Sequence, residues 1–260
     1  MELEETGPAW GPRPEEEAYR QAFDLFLAGT DEKTFAHAYL DEVVRRLPAR
    51  RVFLDIGPAD GTTTRHLSPG FERTICIEPS APMRRALRDS CPGALVLAEP
   101  VMEAQPDSAA DLVLLSHVLY YVPRPTWTAT VQRIMEWVEP GGLLLMLLQS
   151  PDNACMRMVR HFTGSRFDLR ELADELAAAG TGTAGAMTLE TLPACYRSTD
   201  LDETVAVAAF LLSVPADLSR APLPPHDAIE SYVRRHFADP AGGFSIPHEQ
   251  HVLRIRRTRR

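Results

Sequence analysis

Residues 52–67 constrain the fold more than any other stretch of this chain. The apolar run Val52-Phe53-Leu54-Asp55-Ile56 breaks at Gly57-Pro58-Ala59-Asp60-Gly61 and resumes as Thr62-Thr63-Thr64-Arg65-His66-Leu67. The pattern predicts a strand buried on both faces, a tight glycine turn and the first turn of a helix. Gly57 and Gly61 remove side chains where backbone approaches a ligand. The helix start beyond them leaves free N–H groups facing the crevice at the strand's carboxyl end. A doubly wound, Rossmann-like α/β fold with a nucleotide-type ligand is expected.

Two details narrow the ligand. The dinucleotide spacing G-x-G-x-x-G is absent, and Asp55 at the strand end would repel a phosphate, so the wall suits a cationic guest. The run Arg73-Thr74-Ile75-Cys76-Ile77-Glu78 reads as a second strand ending in a carboxylate that can accept both hydroxyls of a ribose. The pattern Asp-x-Gly-x-x-x-Gly at Asp55, Gly57 and Gly61 resembles motif I of class I S-adenosylmethionine-dependent methyltransferases. That resemblance implies a ligand with an amino-acid moiety and a sulfonium and no phosphate.

With 260 residues, 45% of them hydrophobic, the chain can bury one large α/β core or a core with a smaller cap. Its longest apolar run, Gly141 to Leu148, is far short of a membrane span. Met1-Glu2-Leu3-Glu4-Glu5 is acidic where a signal peptide would be basic and then apolar, so a cytoplasmic protein is expected. A net charge of −9 steers the surface away from nucleic acid despite the arginines of residues 254–260. Cys76, Cys91, Cys155 and Cys195 lack C-x-x-C spacing, so reduced thiols are expected, with neither a zinc site nor a disulfide framework.

Read in order, residues 1–15 form an acidic, proline-rich tail and residues 16–48 a helical cap, whose second helix spans about Asp31 to Leu47 with Phe35, Tyr39, Val43 and Leu47 on one stripe. Residues 49–150 carry five strands, near 52–56, 73–78, 94–98, 111–116 and 143–148. Ser80 caps the helix after the second, and Glu139-Pro140-Gly141-Gly142 ends the helix before the fifth. Residues 151–260 complete the sheet. A strand near 186–192 and a last one over 250–256, antiparallel beside the fifth as in methyltransferase folds, enclose an insertion that adds to a lid.

The combination of Ile77-Glu78-Pro79-Ser80-Ala81, Leu119-Tyr120-Tyr121-Val122, Gly164-Ser165-Arg166-Phe167 and an N-terminal Tyr19-x-x-x-Phe23-x-x-Phe26-Leu27 ahead of Glu32 resembles histamine N-methyltransferase and its bacterial relatives. The cofactor set is then Asp55, Gly57, Pro58, Gly61 and Thr62 at the turn, Glu78, Pro79, Ser80 and Met83 after the second strand, and Ser116 with His117 after the fourth. By the same resemblance Tyr19, Phe23, Glu32, His117, Tyr120 and Tyr121 face the acceptor. Met156 and Arg160 stand where the histamine enzyme has tryptophans, and His248 stands at its acceptor-contacting asparagine. An arginine in place of an aromatic loses a cation–π attraction of roughly 0.5–2 kcal/mol, so a neutral, indole-like heterocycle stands beside an imidazole amine as the expected acceptor.

The expected reaction is transfer of a methyl group to a nitrogen or carbon of a small aromatic metabolite, with S-adenosyl-L-methionine as cofactor and no metal. His117, His248 or Glu32 is expected to take the proton. A methyltransferase-like binding protein without turnover is the alternative. The partner is a small-molecule acceptor, with no nucleic acid and no membrane, and monomer and homodimer both stay open.

Overall fold

The computed structural model describes residues 17–180, 184–214 and 224–259. Strands β1 (Val52–Ile56), β2 (Arg73–Ile77), β3 (Leu95–Leu97), β4 (Ala110–Ser116), β5 (Val138–Gln149), β6 (Ala184–Leu192) and β9 (Gln250–Arg257) form one sheet in the order β3-β2-β1-β4-β5-β9-β6. The first five are parallel to one another. β9 runs antiparallel to both β5 and β6 and lies between them. This is the expected α/β fold with an antiparallel last strand. It differs in detail at β5, which begins at Val138, before the Pro140-Gly141-Gly142 segment. There its pairing with β4 shifts register between Ala110 and Leu112. The expected tail, residues 1–15, lies outside the described residues.

The sheet is buried because alternate residues meet helices on opposite faces. On one face Leu112, Leu114, Leu143, Leu145 and Leu147 pack against Ala36, Leu40, Val43 and Val44 of α2 (Glu32–Arg45) and Leu67 of α3 (Thr62–Leu67). The α2 residues recur at i, i+4, i+7 and i+8, the apolar stripe that turns a helix onto a core. Burying each large side chain there is worth about 1.5–3 kcal/mol. On the other face Val113, Leu115, Leu144, Met146 and Leu148 meet Trp127, Val131 and Ile134 of α5 (Trp127–Glu136), following α4 (Ala81–Ser90) in the chain, and Leu172 and Leu176 of α7 (Leu169–Ala178). α2 is therefore a layer of the core as well as part of the N-terminal segment.

A second, two-stranded sheet pairs β7 (Cys195–Ser198) with β8 (Phe244–Pro247). On it packs α8 (Leu201–Ser213), which in turn packs against α9 (His226–His236), α6 (Ala154–Thr163) and α1 (Glu17–Gly29). The junction of α1 and α2 is fastened to this sheet. Asp31 Oδ1 accepts from Cys195 N at 2.7 Å, its Oδ2 pairs with Arg197 at 2.8 Å, and Asp31 N donates to Cys195 O at 3.2 Å.

Candidate active site

A cavity of about 790 Å3 opens where the carboxyl ends of β1, β2 and β4 meet α1, α2, α6 and α8. One end is built by the glycine turn. Gly57 adopts φ +69°, and a Cβ there would meet Val118 Cγ2 at 2.4 Å, so the residue must be glycine for both conformation and room. Its N–H donates to Ile77 O at 2.8 Å, which ties the turn to the end of β2. Beside it Glu78 is buried, with Oε2 accepting from Ala59 N at 3.1 Å and Oε1 from Ser80 N at 2.8 Å. Each oxygen keeps a further lone pair for a ligand donor. Burial raises the Glu78 carboxyl above its usual range, against the pull of those two N–H groups. Asp55, at the floor, accepts from Thr64 Oγ1 at 2.7 Å, and its burial pushes it up to about 7.

The other end is apolar, with one polar cluster. Phe23, Phe26, Phe210, Leu211, Val214, Met156, Val159 and Tyr121 form its walls. Phe26 and Phe210 lie 6.0 Å apart between ring centroids. Within this half Glu32 is 5% exposed. Its Oε1 lies 3.5 Å from His117 Nε2 and 3.7 Å from Lys33 Nζ, and its Oε2 lies 3.8 Å from His248 Nδ1. Burial alone would raise Glu32, but His117, Lys33, His248 and Gln250 outweigh it and hold the carboxylate at about 2. Burial lowers both histidines, against the attraction of Glu32. The cluster is thus a buried carboxylate facing two imidazoles and one ammonium. His117 Nε2 and His248 Nδ1 make no hydrogen bond among the described residues. His117 itself stands at φ +59°, a backbone strain of the kind that gathers at functional sites.

Most of the predicted positions meet in this one cavity: Asp55, Gly57, Pro58, Glu78, Pro79, Ser80, Met83, Ser116, His117, Phe23, Glu32, Tyr120 and Tyr121 all line it. Four do not. Gly61 turns toward α4, where a Cβ would meet Ser90 Oγ at 2.5 Å and Leu87 Cδ1 at 2.7 Å, so its glycine serves packing of the turn. Thr62 is committed to Asp60, with its hydroxyl donating to Oδ2 at 2.6 Å and its N–H to Oδ1 at 3.0 Å. Arg160 is exposed, because the buried stripe of α6 is Cys155, Met156, Met158 and Val159 and residue 160 falls beyond it. Met156 and Val159 of α6 line the cavity in its place. His248 is fully buried behind Glu32, with Nε2 on Thr30 Oγ1 at 2.8 Å, so it braces the carboxylate from outside the cavity. The side chain of Tyr19 lies outside the described residues.

Sequence reasoning missed Lys33, Asp60, Thr63, Gln149, Val159 and the α8 trio Phe210, Leu211 and Val214, all of which line the cavity. Phe26 carried a signal, three residues after Phe23 on the same helical stripe. The α8 residues carried none, since they come from an insertion far along the chain.

The donor set fits S-adenosylmethionine: carboxylates at Asp55, Asp60 and Glu78 for positive groups and hydroxyls, and apolar walls for the rest. Among the described residues no group of histidine, cysteine, aspartate and glutamate could hold a metal ion, and no helix is long and apolar enough to cross a membrane.

In fold the chain is similar to the YcgJ protein of Bacillus subtilis, at 14% identity over 86% of this chain and 99% of that one, with a TM-score of 0.61. It is similar to a putative methyltransferase of Bacillus halodurans, at 14% identity over 85% and 98%, TM-score 0.57. It is also similar to the putative methyltransferase of Haloferax volcanii solved in complex with the Trm112 activator, at 18% identity over 94% and 99%, TM-score 0.56. No curated protein matches the chain. The methyltransferase domain family matches residues 30–184, more than half of the sequence, and takes in the glycine turn, Glu78 and the strand end that carries His117. The chain belongs to that family, as a class I methyltransferase with S-adenosylmethionine as its cofactor.

Proposed function

We propose that this methyltransferase acts on a small aromatic heterocycle bearing a ring N–H, of the indole or imidazole type, and methylates one of its nitrogens or carbons. The observation that carries this reading is the pair of buried Glu32 and half-buried His117, set among aromatic and aliphatic walls in the half of the cavity opposite Glu78. The likeness of the tyrosine pair and the Gly-Ser-Arg-Phe turn to histamine N-methyltransferase supports the same class of acceptor.

What the cofactor supplies when bound is an electrophilic methyl group already activated on a sulfonium, so the chain's task is to align, to exclude water and to take a proton. Glu78 would take the ribose hydroxyls on its free lone pairs, and Met83, Pro79 and Ser80 would flank the base. Tyr120 and Tyr121 would position the acceptor. The Tyr120 ring lies 5.9 Å from that of His117 and nearly parallel to it. Its hydroxyl oxygen accepts from the N–H of Gln149 at 2.8 Å, which fixes the ring, and burial pushes the phenol far above its usual range, so it keeps its proton. A proton leaving the acceptor would be held between His117 Nε2 and Glu32 Oε1. A neutral imidazole kept unprotonated by burial is available as a base, and the carboxylate stabilises the imidazolium that forms. His248 and Thr30 are positioning residues that fix the Glu32 rotamer.

Transfer of labelled methyl from S-adenosylmethionine to a panel of indoles, imidazoles and aryl amines tests this. Product is expected with N–H heterocycles, and His117→Ala and Glu32→Gln should each lower turnover about 10²- to 10⁴-fold. A panel without product, or both variants within tenfold of wild type, would remove the proposed chemistry.

A further inference from the structure

Lys33 is the only lysine among the 27 lysines and arginines of this sequence. It also supplies the only lysine or arginine side chain among the described residues that line the cavity. It sits in the first turn of α2, directly after Glu32, with its side chain 30% exposed and Nζ 3.7 Å from Glu32 Oε1. It lines the same cavity as Asp55 and His117, and its ammonium acts electrostatically on both. Around it are four lining carboxylates, Glu32, Asp55, Asp60 and Glu78.

A ligand carrying positive groups and hydroxyls alone would find its partners in those carboxylates and have no use for an ammonium. The amino-acid end of the cofactor differs, because its α-carboxylate needs a cation or a strong donor in a place this acidic. A compact ammonium on a flexible stem can give up one carboxylate for another, which the planar fork of an arginine does less readily. We propose that Lys33 is a positioning residue that takes the α-carboxylate of the cofactor and, in doing so, moves off Glu32. The inference rests on the cofactor assignment and deepens it. Adjacent residues of one helix would then serve the two ligands in turn. While Lys33 is on Glu32 that carboxylate is a weak base. Once Lys33 is drawn to the cofactor, Glu32 gains proton affinity and faces the acceptor through His117.

The test compares S-adenosylhomocysteine with 5′-methylthioadenosine, which keeps the adenosine and the thioether and lacks the amino-acid end. By calorimetry, Lys33→Gln should weaken S-adenosylhomocysteine about tenfold or more and leave 5′-methylthioadenosine within about twofold. Equal losses for both ligands, or no loss for either, overturn the role of Lys33 while the cofactor assignment stands. If the wild-type chain binds neither, that assignment falls with it. A measurement on the unaltered chain guards against a folding defect in the variant. Because Lys33 is the sole lysine, an amine-directed reagent followed by peptide mapping reports its side chain directly. S-adenosylhomocysteine should protect Lys33 and 5′-methylthioadenosine should not; equal protection by both overturns the inference.

Discussion

Asp55 is a residue whose ionisation is set by its place in the fold. Burial lifts its carboxyl from an ordinary 3.8 to about 7, the Thr64 hydroxyl and Lys33 oppose that rise, and Glu78 adds to it. A raised folded value means that the protonated carboxyl favours the fold on the acid side, and that this contribution is lost as pH climbs from 3.8 through about 7. A ligand that brings an ammonium into the cavity favours the ionised form and must displace that proton. The affinity for S-adenosylhomocysteine is therefore expected to climb with pH up to about 7 and then level off, and Asp55→Asn should flatten the profile. Calorimetry across pH 5.5 to 8.5, repeated in buffers of different ionisation enthalpy, reads both effects. The place of Asp55 and Glu78 at the cavity was legible in the sequence because each lies at the carboxyl end of a strand whose direction was readable. Arg160 was misplaced because its role depends on helical phase, which the flanking Met156 and Val159 settle only once the packing partner of α6 is known.

At the scale of elements, the roof over the acceptor half hangs on Asp31. Its carboxylate holds the Cys195 N–H and Arg197, and the neighbouring Thr30 reaches His248. The bond to Arg197 is largely exposed and contributes little, whereas a carboxylate accepting from a backbone N–H is worth about 1.5–3 kcal/mol. Asp31→Ala should loosen α1 and β7 together, seen as faster amide exchange in both. It should lower turnover by more than it lowers the affinity for S-adenosylhomocysteine, because Glu78 and the glycine turn do not touch this joint and only Lys33 lies near it. Unchanged exchange in β7 would mean that the joint is not what holds the roof. The parallel strands, the cap of α4 and the place of β9 beside β5 were all readable from apolar runs and turn residues. The strands β7 and β8 were not, since four-residue strands that pair across some fifty residues leave no periodic trace. The start of β5 at Val138 escaped for the same reason that Pro140-Gly141-Gly142 reads as a break: pairing with Ala110 overrides the local propensity of that segment.

For the whole molecule the consequence of threading β9 between β5 and β6 lies in time. Apart from Lys33, the residues placed on the cofactor lie in one contiguous stretch from Val52 to Gln149, and its strands β1 to β5 pair without help from later residues. The acceptor half is closed by contacts of another order, from Thr30 to His248 across 218 residues and from Asp31 to Cys195 across 164. Closing such long loops costs entropy before any contact offsets it, and chains of this size often fold in stages. In pulse-labelled refolding, amides of β1 and β4 are expected to gain protection before those of α1, β6 and β7; simultaneous protection would mean a single cooperative unit. On the ribosome α1 emerges before β7 and α8, the elements on which it packs. The expected order would give a nascent chain its glycine turn and Glu78 before it has anywhere to place what will be methylated.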